Sequence, residues 1–314
     1  MENQDLIRKA DLALADLATA GRLNDEQTDR FIRKLMDTPT ILQACRTVTM
    51  NAPQRKINKI GFGSRMLRKG VQGTALTEAQ RYKPGLEQIL VNTDEVIAEI
   101  NLPYDVLEDN IERAGTDVAL QAGPGGLHQT IVDMMAERAA IDLEELGLMG
   151  DTTSADDYLA LTDGWLKRAN QNIVDAAGNP ISKDILKAGV KAMPDKYLRN
   201  RQSLIQMISV DNETELRDTF AARQTALGDA VLQGNTQLFM HGSQVRGASA
   251  MPTASGLFTD PLNLIFGIWR NIQIEYDKDI RTRSFVIVLT ARVGFQIEES
   301  EAAVQYTNIG DGGV

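Results

Sequence analysis

The sequence predicts an α+β protein, and three stretches carry that prediction. The first is Leu127 to Leu148, LHQTIVDMMAERAAIDLEELGL, an unbroken helical run that follows the turn-forming residues Ala122-Gly123-Pro124-Gly125-Gly126. At 1.5 Å per residue it is roughly 33 Å long, the width of a small domain. The second is Phe285 to Ile297, where Phe285, Ile287, Leu289, Ala291, Val293, Phe295 and Ile297 hold every odd position, the period of a strand buried on one face. At about 3.3 Å per residue it reaches roughly 40 Å, twice the usual strand. The third lies between them, where helical and strand patterns alternate from about residue 155 to residue 261.

The helix is apolar over much of its circumference. Leu127, Ile131, Met134 and Ile141 lie on one side, and Val132, Met135, Ala136, Ala139, Ala140, Leu143 and Leu146 cover another. Such a helix needs partners on more than one side. The simplest arrangement lays it across a long sheet made from Glu95 to Leu102, where Val96, Ala98, Ile100 and Leu102 alternate, and from the C-terminal strands. Among these, Ile272, Ile274 and Tyr276 alternate ahead of a turn expected at Asp277-Lys278-Asp279.

Earlier in the chain, Asp5 to Ala20 reads as an amphipathic helix with Ile7, Ala10, Leu14 and Leu17 on one face. A second helix begins at Asn24, with Gln27 placed to cap back, and runs to about Met36. Neither is long enough to make a core, so together they predict an arm that packs on something else. Thr47 to Gly61 and Arg81 to Leu102 read as two extended arms joined by a glycine-rich, basic tip, which describes a protruding hairpin. A hairpin of that length is marginal alone in water and is expected to lie along a neighbour. Pro103 closes its second arm, and a short helix is expected from Tyr104 to Ile111.

In the middle stretch Ser182 caps a helix that ends before Met193-Pro194. Leu204 to Val210 reads as a strand apolar on both faces, Asn212 and Glu215 as a capping box for a helix closed at Gly234, and Leu238 to His241 as a further strand. Trp165 in GWLKRA reads as a packing anchor.

Composition excludes several kinds of chemistry. With Cys45 the only cysteine and His128 and His241 the only histidines among 314 residues, the chain has no basis for a disulfide framework or a Cys/His zinc site. Ile60-Gly61-Phe62-Gly63 resembles the start of a dinucleotide-binding turn, but Met66 stands where the third glycine belongs. Asp133 and Glu137 sit one helical turn apart, yet no Glu-x-x-His pairing accompanies them, so they read as a solvated or Arg138-paired face. No cofactor, metal or catalytic residue is predicted. The longest clean apolar run, Phe285 to Leu289, is far short of a membrane span.

The net charge of −10 conceals a polarity along the chain. Between Asn51 and Lys83, Arg55, Lys56, Lys59, Arg65, Arg68, Lys69, Arg81 and Lys83 face Glu78 alone, a net of +7. From Pro84 to Asp157, seventeen acids face Arg113 and Arg138, a net of −15. Two solvated surfaces are the plain explanation. The sharper one sets the basic segment of one copy, with Arg55, Lys56, Lys59, Arg65, Arg68 and Lys69, on the acidic helix of another, at Asp133, Glu137 and Asp142, since complementary fields favour association.

In this order of parts the chain resembles the major capsid proteins of tailed bacteriophages, the Hong Kong 97 type. The likeness runs through INLPYDVLEDN, TIVDMMAERAAIDLEELGLMGD, GWLKRA, RQTALGDAVLQG, DPLNLIFGIWRNIQIEYDKD and ARVGFQIEESEAAVQYTNI. It implies an N-terminal arm (1–46), an extended loop (47–92), a peripheral domain (93–154 and 270–314) with a spine helix at 127–148, and an axial domain (155–269). It also implies a non-enzymatic shell subunit that forms pentamers and hexamers around double-stranded DNA, with portal and scaffold or decoration proteins as further partners and no membrane. DNA contact is expected to be weak and nonspecific, with Arg8, Lys9 and Arg33 of the arm as candidates. The bacterial encapsulin shell is the alternative with the same fold. An enzyme with an inserted lid domain is a further reading, weakened by the scarcity of reactive side chains.

Overall fold

The computed structural model describes residues 41–61, 85–103, 127–221 and 237–310, with residues 67, 69, 77 and 81 as isolated positions. The two expected arm helices, most of the loop tip, the helix expected after Pro103, the glycine run before Leu127 and the helix closure at Gly234 lie outside the described residues.

In chain order the strands and helices are β1 (Arg46–Thr49), β2 (Gln54–Gly61), β3 (Gly85–Asn92), β4 (Asp94–Pro103) and α1 (Leu127–Met149). They continue with α2 (Trp165–Arg168), β5 (Asn172–Asp175), α3 (Lys183–Ala192), β6 (Ile205–Ser209), α4 (Val210–Ala221), β7 (Leu238–Met240), β8 (Ser243–Ala248) and β9 (Gly256–Thr259). The chain closes with β10 (Leu264–Asp279), β11 (Ser284–Ile297) and β12 (Val304–Thr307).

Among the described residues the strands form three sheets. A four-stranded sheet runs β1-β10-β11-β4, a six-stranded sheet runs β5-β12-β9-β6-β8-β7, and β2 and β3 pair alone. In the first, β11 pairs antiparallel with β10 from Ile297↔Leu264 to Ser284↔Asp279, and with β4 from Ser284↔Pro103 to Val293↔Asp94. The odd-numbered residues of β11 from Ile287 to Ile297 are all buried, and they share one core with Met135, Ala136, Ala140, Leu143 and Leu146 of α1. This is the expected helix across a long sheet. Two substitution-intolerant features set the spacing. Trp165 is fully buried, edge-on to Phe295 at 5.2 Å, and its indole N–H donates to the Gln296 carbonyl at 3.2 Å. Gly147 faces both rings, and a Cβ there would fall 2.8 Å from Phe295 and 3.1 Å from Trp165, so the helix can approach the sheet only without a side chain at that position.

The six-stranded sheet is buried on both faces. On β6, Ile208 packs with Leu186 and Val190 of α3 and Leu216 of α4, whereas Met207 joins the α1 core. As expected, Ser182 caps α3 by accepting from the Ile185 amide.

Several local expectations are corrected. The first long arm is interrupted between β1 and β2, where the Met50 amide donates to Ile268 O at 2.7 Å and Pro53 follows. The second is two strands, because both the Thr93 amide and its hydroxyl donate to the Pro53 carbonyl and turn the chain between β3 and β4. Asp277 and Lys278 remain paired in β10, and the turn falls at 280–283. There the Asp279 carboxylate accepts from the Arg281 amide at 2.9 Å and the Thr282 hydroxyl at 2.8 Å, the side-chain mimicry that makes aspartate a turn former. The cap of α4 is Ser209, whose hydroxyl accepts from the Asn212 amide at 3.1 Å; the Asn212 side chain donates instead to Thr253 O. Val210 therefore belongs to the helix and not to the strand before it. The strand expected to reach His241 ends at Met240, since His241 holds a positive φ. Finally, β12, grouped by the sequence with the long strands, pairs with β5 and β9 in the six-stranded sheet, and β10 enters the four-stranded sheet already at Leu264.

Candidate inter-subunit surface

The paired strands β2 and β3 are the foot of the expected hairpin, in register from Gln54↔Asn92 to Gly61↔Gly85. Strand alternation gives them two faces. One face meets the body of its own chain: Val91 is fully buried and packs with Met50 and Ile265, with Ile57 and Trp269 against them. That contact lies on the side of the four-stranded sheet opposite α1, since Ile265 points there while Leu264 and Phe266 point to the helix core.

Polar contacts hold the foot in place. Gln296 Nε2 donates to the Leu90 carbonyl at 2.8 Å. Lys59 pairs with Glu87 at 3.3 Å and, more closely, with Glu299. Partial burial works against the Lys59 charge and is the largest single influence, but the two carboxylates together outweigh it and raise its pKa above the ordinary lysine value. The chain passes so near Gly294 that a Cβ there would sit 1.8 Å from the Asn92 carbonyl oxygen.

The other face of the foot is exposed. Cross-strand neighbours Ile60 and Leu86 are 64% and 74% accessible, and Lys56 stands opposite Leu90 on the same side. Exposed apolar pairs beside a lysine, on a two-stranded ribbon, make a surface suited to contact with a partner.

The sequence-predicted basic residues are thus divided. Arg55 is exposed, and its guanidinium donates to the Thr49 carbonyl at 2.6 Å. Lys56 and Lys69 are exposed, Lys59 is engaged within its own chain, and Arg65 and Arg68 lie outside the described residues. On α1, Glu137 is exposed, and Asp142 pairs with Arg138 at 2.9 Å, so Arg138 answers Asp142 at i,i+4. Asp133 lies on the same helix, with its side chain outside the description. The Tyr158 hydroxyl donates to the Asp142 carbonyl and fastens the loop after α1 to the helix. Beneath Arg138 and Asp142, between α1 and β4, an apolar cavity of about 220 Å³ is lined by Val96, Ile100, Met135, Ala139 and Leu289. Sequence reasoning missed the clasp formed by Gln296 and Glu299, which comes from the far end of the chain and carries no local pattern.

A long helix over a long four-stranded sheet, a second sheet formed by the intervening segment together with β12, and the separate two-stranded ribbon β2-β3 are the parts of the Hong Kong 97-type capsid fold. Among curated proteins, the chain is 43% identical over 323 residues to "Putative prophage capsid protein YqbE" of Bacillus subtilis (strain 168), covering 98% of this chain and 99% of the relative. The chain belongs to this family of tailed-phage capsid proteins. The viral shell is accordingly favoured over the encapsulin alternative. Solved structures agree on the fold. A chain titled "Satellite phage P4 procapsid including size determination (Sid) protein" superposes with a TM-score of 0.68 at 12% identity, covering 100% of both chains. One titled "Capsid of empty GTA particle computed with C5 symmetry" gives 0.59 at 16% identity over 86% of this chain and 90% of that one. No protein-family model matches the chain.

Proposed function

We propose that this capsid protein assembles through rings of five and six subunits into a closed shell around double-stranded DNA, with each hairpin laid on the acidic body of the next subunit. The observation that carries the reading is the two-faced foot of the hairpin. One face is braced on its own sheet through Val91 and Lys59, so the ribbon is aimed, while the face bearing Lys56, Ile60 and Leu86 is exposed. The basic tip, with Arg65, Arg68 and Lys69, then extends toward Asp133, Glu137 and Asp142 of a neighbour. Such a contact is not self-facing, because a hairpin meets a helix, and repeated head-to-tail contacts close into rings. The two fields of opposite sign favour this register over others.

In this reading the work is geometric and involves no cofactor or catalytic step. The division into arm, loop, peripheral domain and axial domain is part of the proposal, with its C-terminal bounds moved so that β10 from Leu264 onward counts with the peripheral sheet and β12 with the axial one. So are the portal and any scaffold or decoration protein as partners, assembly in the host cytoplasm, and weak nonspecific contact with DNA through Arg8, Lys9 and Arg33. Charge reversal of Arg65, Arg68 and Lys69 to Glu tests the hairpin contact: the subunit keeps its circular-dichroism spectrum and unfolding midpoint but forms few particles. Normal particle yield from that variant at both low and high salt rules the contact out.

A further inference from the structure

The turn between β10 and β11 forms a knob with an apolar apex. Ile280 there is 84% exposed, and Arg281 and Arg283 stand exposed beside it. The knob has a fixed shape. Asp279 accepts from the Arg281 amide and the Thr282 hydroxyl, the Thr282 and Ser284 hydroxyls bond at 2.6 Å, and Arg283 holds a positive φ of 52°. The cavity between α1 and β4 is a socket of matching chemistry. It lies at the β4 edge of the four-stranded sheet, where Ile97 is 66% exposed and Ala98 is exposed, and the charged residues of its wall, Arg138 and Asp142, pair with each other. Acids surround it. Glu99 is exposed two residues from Ile97 on the same face of β4, and Glu145 follows Asp142 by one turn of α1. Burial first, and then the charges of Asp142 and Glu145, raise the pKa of the Tyr158 phenol in the cavity wall.

We propose that Ile280 of one subunit seats in the α1–β4 cavity of another, with Arg281 and Arg283 beside the second subunit's Glu99 and Glu145. The sizes agree: an apolar cavity of about 150 Å³ takes a benzene ring. At about 220 Å³ this one has room for an isoleucine side chain. Charge agrees too, since two arginines meet a rim in which Arg138 is already engaged by Asp142. Within one chain the knob cannot reach the socket. Thr290, the partner of Ile97, lies six residues along β11 from Ser284, about 20 Å away in the same sheet. Knob and socket are different surfaces, so the contact is not self-facing and suits a tiled shell. It rests on the shell reading but not on the seat of the hairpin, because Asp133 and Glu137 lie on the other flank of α1.

Paired cysteines test the contact in the full-length protein. Ile280→Cys with Ala98→Cys should give interchain disulfides on mild oxidation of assembled particles, read as a ladder by non-reducing electrophoresis, and none in dispersed subunits. Cys45 does not compete, because burial pushes its thiol up to about 12. Intrachain disulfides, or particles without interchain ones, would overturn the proposal. Ile280→Asp supplies a second readout that needs no cysteine. Its dispersed subunit should keep the unfolding midpoint, because the side chain is exposed, while particle yield falls at least tenfold and Ile280→Leu keeps the yield of the unmodified chain. Normal yield from Ile280→Asp would overturn the proposal, as would an equal loss in Ile280→Leu. The unmodified protein run alongside separates the two levels: if it forms no particles the shell reading falls and this contact with it, whereas particles that tolerate Ile280→Asp remove this contact alone.

Discussion

Two tryptophan-scale and carboxylate-scale contacts decide how α1 ends and how the chain leaves it. Trp165 fills the junction between the helix, Phe295 and the start of the six-stranded sheet, with its N–H satisfied by a backbone carbonyl. Trp165→Ala should cost about 3–5 kcal/mol, because a fully buried ring leaves both lost contacts and a cavity. Denaturant unfolding of the dispersed subunit measures this, and a loss below about 1 kcal/mol would mean that the ring is not the anchor described. Nearby, Lys167 pairs with Asp151 and, at 3.0 Å, with Asp163. The Lys167 ammonium first, and then the Thr153 hydroxyl and amide, hold the Asp151 carboxyl down at about 2, below its ordinary 3.8. A depressed pKa stabilises the folded state above the ordinary value and loses that contribution as pH falls toward the folded one. Hydrogen exchange in residues 151–163 should therefore accelerate between about pH 4 and pH 2, with the separate effect of pH on intrinsic exchange divided out. Trp165 was legible as an anchor because a lone tryptophan in a helical turn has few other uses. Its hydrogen bond to Gln296 O was not, since the partner lies 131 residues away.

Among the elements, α1 and β11 were legible because each carries its period over a long run. Thirteen residues of strict alternation leave a strand no other face to bury, and β11 follows that pattern from Ile287 to Ile297 without exception. Short elements were read less well. The strand order β5-β12-β9-β6-β8-β7 places β12 between β5 and β9, and no local pattern in VQYT distinguishes that sheet from the other. The hairpin shows the same limit. Its existence follows from two extended arms and a glycine-rich tip, but the attachment of its foot depends on Gly294, Gln296 and Glu299, which lie some 200 residues later. Gly294→Ala should force Asn92 and Thr93 off the sheet, destabilise the subunit by about 1–3 kcal/mol and raise hydrogen exchange in residues 88–94. Unchanged exchange there would mean that the foot is not held by this approach.

At the scale of the whole molecule, the proposed function assigns the acidic total of −10 and the basic loop to contacts between subunits rather than to the fold. In the proposed contact, the separation of +7 and −15 along the sequence is what lets identical copies choose one register over others. The apolar outward face of the hairpin makes the same point, because Ile60 and Leu86 are exposed in the subunit. The capsid role was legible in the sequence through the order of parts, while ring size and shell geometry depend on angles between subunits that no single-chain pattern encodes. Electron microscopy of the purified full-length protein, alone and with its viral partners, tests the central claim most directly. The account predicts rings of five and six and closed shells built from them; a protein that remained monomeric under every one of those conditions would contradict it.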